Sequence, residues 1–172
     1  MKPKFLFSVP LILLLFNCKN EKKHNQNNEP IAQTNDVVEI ITNNMDFQSV
    51  DTLKSGWNTF KYVNKSTQVH FFLLDKYPEG KTIQNTIEEV GPPFDNGMAF
   101  IMEGKMEEAM AEFAKLPEWF SKVVFTGGSG LLSPGHTSIT TVKLEPGLYI
   151  MECYVKMANG KFHTSMGMAK EL

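Results

Sequence analysis

The chain has 172 residues, a length that suits one domain with a sizeable core, and 42% of them are hydrophobic. Its 17 basic and 19 acidic side chains nearly cancel, which removes the basic excess that a nucleic-acid binder needs. Many short β-forming runs between Gly and Pro turns predict a mainly β chain built as a sandwich.

Residues 1–4 carry two lysines, and residues 5–16 are an apolar run. A charged start with a short apolar core reads as a secretory signal peptide over residues 1–17, too short to span a membrane as a helix. The run ends Leu15-Phe16-Asn17-Cys18, which resembles the lipobox of bacterial lipoproteins. That resemblance implies that Cys18 becomes the lipid-bearing first residue of a mature chain held at a membrane of the cell envelope. Lys19 offers no inner-membrane retention signal, so the outer membrane is favoured. An ordinary signal with a chance cysteine is the other reading. Residues 18–36, rich in Asn, Lys, Gln and Glu, read as a disordered tether in which His24 is solvated. Lipidation of Cys18 leaves Cys153 a lone thiol in an oxidising compartment, so Cys153 is expected to be buried or bound.

The β domain is expected over residues 37–172. Residues 37–41 form its first strand, and residues 45–50 extend it after Asn43-Asn44. From Gly56 to Asn64, Trp57, Thr59, Lys61 and Val63 alternate with Asn58, Phe60 and Tyr62, the period of a half-buried strand. Residues 68–74 read as a strand buried on both faces, with His70 inside it as a metal ligand or a hydrogen-bonded core histidine. A helical insert follows, over about residues 81–120. Its first helix spans residues 81–90, with Thr82 as N-cap and Gly91-Pro92-Pro93 as the stop. Its second spans residues 97–119, broken near Gly104 and ended by Pro117. Met98, Met102, Met106 and Met110 recur every four residues there. They predict either a thioether surface that loads Cu(I) or, given Phe100, Ile101 and Phe113, a Met-rich core face. Residues 123–125 are a short strand entering a glycine cluster that lacks the Lys-Ser/Thr of a phosphate loop. His136 sits on an exposed turn before the strand Thr137–Leu144.

The C-terminal stretch carries the chemistry. Glu145-Pro146-Gly147 is a turn, residues 148–155 read as a strand, Asn159-Gly160 as a second turn, and residues 161–168 as the last strand. Cys153, His163, Met166 and Met168 lie within it, and thiolate, imidazole and thioether are blue-copper donors.

The order of parts resembles the cupredoxin (blue-copper) superfamily: the strand Gly56–Asn64, His70 after it, Pro134-Gly135, the Leu-Glu-Pro-Gly-Leu-Tyr turn, Cys153, His163 and Gly167-Met168. The resemblance covers roughly residue 37 to the end, interrupted by the helical insert. It implies a cupredoxin-like Greek-key β-sandwich binding copper through His70, Cys153 and His163, with Met168 axial and Met166 the alternate. It further implies one-electron transfer or copper handling, a redox partner protein, and no enzymatic activity.

One feature departs from the family pattern. Nine residues separate Cys153 from His163, where cupredoxins place only a few. A two-residue turn at Asn159-Gly160 would pair Lys156 with His163 and Cys153 with Met166, turning His163 away from the thiol. Bringing both onto one ion then takes a bulge or an irregular loop. Without one, Cys153 is a thiol packed on methionines, and the chain is a metal-free binding module of the envelope. No Ser/His/Asp order with a nucleophile elbow and no His-Glu-x-x-His occurs, and neither Cys153 nor His163 follows a helix start that would activate a thiol.

Overall fold

The computed structural model describes residues 37–172; the stretches expected to be a signal peptide and a tether, with Cys18 and His24, lie outside the described residues. Among the described residues, eight strands form two four-stranded sheets. In the first, β1 (Val37–Thr42) pairs with β2 (Phe47–Gln48) and runs parallel to β3 (Gly56–Asn64), which pairs antiparallel with β6 (Thr137–Leu144). The second runs β5 (Val124–Gly128), β4 (Leu73–Lys76), β7 (Tyr149–Glu152) and β8 (Ala169–Glu171), all antiparallel.

The alternation read in β3 decides which face packs: Asn58, Phe60, Tyr62 and Asn64 are buried, while Trp57 and Lys61 face out. Phe60 and Tyr62 meet Phe72 edge-on, and with Ile40, Leu74, Met151, Cys153 and Met168 they fill the space between the sheets.

All four residues of β7 are buried, because its sheet is covered on both sides. Met151 and Cys153 face the sandwich core; Ile150 packs with Tyr77 and Val123 in a second cluster, joined by Trp119 and Phe120 of the insert. The insert comprises α1 (Ile83–Asn85), a π-turn (Thr86–Val90), α2 (Gly91–Met102), α3 (Met106–Phe113) and a 3₁₀ turn (Glu118–Lys122).

Four expectations need correction. Gly91-Pro92-Pro93 does not stop a helix: it forms the first turn of α2, where the missing proline N–H groups have no intrahelical partner to lose. The strand expected over residues 68–74 begins only at Leu73, and His70 makes an isolated bridge to Leu132. The strand expected over residues 161–168 is a loop with a 3₁₀ turn (Thr164–Met166), and the last strand starts at Ala169. The break expected near Gly104 is present, with that glycine at φ 75° between α2 and α3. The Met-rich core face is not formed: Met102, Met106 and Met110 are more than half exposed.

Gly128 joins the sheet edge at a place with no room for a side chain. A Cβ there would lie 1.9 Å from the Phe72 carbonyl oxygen, a backbone atom that cannot rotate away. Gly128→Ala is expected to destabilise the fold by about 2 kcal/mol or more. Gly130→Ala, with nothing within 4 Å, should stay within about 0.5 kcal/mol. Urea midpoints of the two variants decide it; equal midpoints would refute the steric reading.

Candidate metal centre

Three separate segments deliver the donor atoms. His70 is fixed by paired backbone bonds with Leu132 (3.2 and 2.7 Å), Cys153 directly follows β7, and His163 sits in the loop between β7 and β8. All three side chains are fully buried.

The loop resolves the spacing problem by one residue. Lys156 bridges Phe162 rather than His163, and the Met157 N–H donates to the Lys161 carbonyl at 2.8 Å. Three residues, 158–160, therefore form the turn instead of two, with Gly160 at φ 86° supplying the left-handed position such a loop needs. The His163 N–H donates to the Val155 carbonyl, so His163 stands opposite Val155. A one-residue change of register moves every side chain to the other face, and His163 thereby joins the face of Cys153.

Cys153 Sγ lies 3.7 Å from His70 Nδ1 and 3.5 Å from His163 Nδ1, and the two Nδ1 atoms are 3.1 Å apart. Metal bonds of about 2.0–2.3 Å at angles of roughly 100–120° around one centre space such donors by roughly 3.1–3.8 Å. The triangle therefore fits one ion. The remote nitrogens agree with both Nδ1 atoms facing a common point: His163 Nε2 meets Met157 Sδ at 3.1 Å, and His70 Nε2 is buried without a partner. Burial, reinforced by His163, pushes His70 down to about 4, and burial likewise lowers His163. Neutral imidazoles, the ligating form, are thus favoured at physiological pH. Burial raises the Cys153 thiol, so loading a metal must release its proton.

Met168 is fully buried in the core cluster that contains Cys153, and its N–H donates to the His163 carbonyl at 3.0 Å. Met166 is about half exposed. His136 is exposed and turned to the Pro134 carbonyl, away from the buried histidines. Sequence reasoning did not single out Met157, nor the polar group around Glu152. That residue accepts from Tyr77 Oη (2.9 Å) and Thr164 Oγ1 (3.0 Å), while Tyr154 Oη donates to Asp75 (2.9 Å). An acid in the middle of an apolar strand was the available signal.

Two packed four-stranded sheets, a helical insert and a buried His–Cys–His group make up the architecture expected from the resemblance read in the sequence. No family model and no curated protein matches the chain. Among solved structures, the domain is similar to the dithionite-reduced auracyanin of the photosynthetic bacterium Roseiflexus castenholzii: 20% identity, TM-score 0.45, covering 79% of this chain and 94% of that one. It is also similar to auracyanin A, a "blue" copper protein of Chloroflexus aurantiacus, at 21% identity and TM-score 0.43, covering 79% and 95%. Auracyanin B matches at 14% identity and TM-score 0.45, covering 79% and 86%.

Proposed function

We propose that this chain is a copper-binding protein of the cell envelope that carries single electrons to or from a partner protein. The observation that carries the reading is the convergence of His70 Nδ1, Cys153 Sγ and His163 Nδ1 within 3.7 Å of one another. These three would hold the ion, with Met168, buried in the same cluster as Cys153, the candidate thioether donor. A thiolate with two imidazoles suits copper, and copper when bound supplies a one-electron couple. The protein's part is to keep both imidazoles neutral, exclude water and hold the donors at fixed spacing in a close-packed core. The lipobox-like Leu15-Phe16-Asn17-Cys18 supports a lipid anchor.

The test is the visible spectrum of the purified protein with Cu(II). Wild type should show an intense thiolate-to-copper band, and Cys153→Ser should lose it entirely. Weak copper binding with no band and no dependence on Cys153 would overturn the reading and leave a metal-free sandwich.

A further inference from the structure

The helical insert does not close tightly onto the second sheet. Between them lies a cavity of about 950 Å³, the size of a small-molecule site. Its walls include Ile83, Val90, Phe94, Phe120 and Phe162; Leu73 and Glu152 come from the sheet.

The buried polar groups of this cavity are acids; Lys161, the cation in its lining, is more than half exposed and paired with Asp95, which lines the cavity too. Glu152 is 1% exposed and Asp75 fully buried, and strand alternation puts Asp75 on the same face of β4 as the cavity-lining Leu73. The neighbouring hydroxyls are already committed: Tyr77 and Thr164 donate to Glu152, and Tyr154 donates to Asp75. What remains on Glu152 is acceptor capacity, each oxygen taking one hydroxyl, and Asp75 Oδ1 is buried without a partner. Among the described residues no lysine or histidine forms an ion pair with either acid. A buried carboxylate is ordinarily matched by a cation, and among the described residues Glu152 is paired with none.

We propose that the cavity binds a small organic cation, with its ammonium or amidinium head at Glu152 and an aromatic or aliphatic body among the phenylalanines. Aromatic walls add cation–π attraction to the carboxyl contact, while a carboxylate or phosphate head placed at Glu152 meets like charge there and would have to compete with Asp95 for Lys161. The site is distinct from the metal donors: Glu152 points to the insert side of β7, and Cys153 points into the sandwich.

The test uses metal-free protein, so that it stands or falls independently of copper. Three ligands with one body, 4-phenylbutylamine, 4-phenylbutanol and 4-phenylbutyrate, are titrated by calorimetry, with the Ile83 and Ile87 methyl signals followed by NMR. The amine should bind at least tenfold more tightly than the alcohol, and the butyrate most weakly. Glu152→Gln should bring amine and alcohol together. Ala99→Trp, which fills the cavity from α2 without touching the acids, should abolish binding of all three and covers the case in which Glu152→Gln does not fold. Binding of the butyrate as tightly as the amine, binding unaffected by Ala99→Trp, or no binding by any of the three would overturn the proposal.

Discussion

Copper is expected to raise the melting temperature of the wild-type protein by about 10 °C, and to leave His163→Ala nearly unchanged. A ligand held only by the folded state stabilises it by RT ln(1 + [L]/Kd), about 4 kcal/mol at a thousandfold excess over Kd. For a domain of this size each kcal/mol is worth about 3 °C. The three donors come from separate segments that meet only when folded, so the unfolded chain offers Cys153 with no preassembled partner. Any copper held by that thiol when unfolded subtracts from the shift, which makes 10 °C the upper part of the expected range. His163→Ala also empties part of the core, so the quantity to compare is the copper-induced shift within each variant. Calorimetry under anaerobic, reducing conditions with Cu(I) makes the comparison. Equal shifts in the two proteins would mean that copper sits elsewhere and that the buried triangle is not its site.

How much of this centre could be read from the sequence turns on one loop. His70 and Cys153 were visible as donors because each sits in an apolar run where a polar side chain needs a reason. The convergence of His163 was not, since it depends on whether Asn159-Gly160 closes a two-residue or a three-residue turn. Both turns are good chemistry for that dipeptide, and they place His163 on opposite faces. The sheet cores were more legible: β3 and β6 follow their alternation because one face of each meets water. In the insert, spacing misled. Gly91-Pro92-Pro93 is a stop when it ends a helix and a start when it opens one, and local sequence does not distinguish these. The methionine periodicity implied a single face, but Gly104 breaks the helix between Met102 and Met106, and the apolar contacts are made by Phe94 and Phe113 instead. The acids under the insert belong to tertiary structure altogether. Glu152 and Asp75 become neighbours only because β4 and β7 pair, and they become buried only because a helical layer covers them.

That burial carries the second large effect, a dependence of stability on pH. Burial, with Glu152 beside it, raises Asp75 from 3.8 to about 7, although the Tyr154 hydroxyl partly offsets this. The sign follows from proton counting. Below about 4, Asp75 is protonated in both the folded and unfolded chains and contributes nothing. Between about 4 and about 7 the unfolded chain ionises while the folded one keeps its proton, so stability falls as pH rises; above about 7 the loss is complete. Three decades of proton affinity, at about 1.4 kcal/mol each, bound that loss at about 4 kcal/mol. Asp75→Asn mimics the protonated acid and still accepts from Tyr154, so the variant should match wild type at pH 4 and exceed it by about 2 kcal/mol or more at pH 8. Urea denaturation of metal-free protein across this range measures the difference directly. A variant weaker than wild type by a constant amount at every pH would mean that Asp75 is held as a paired anion, and its buried oxygen would then need a cationic partner even without a ligand.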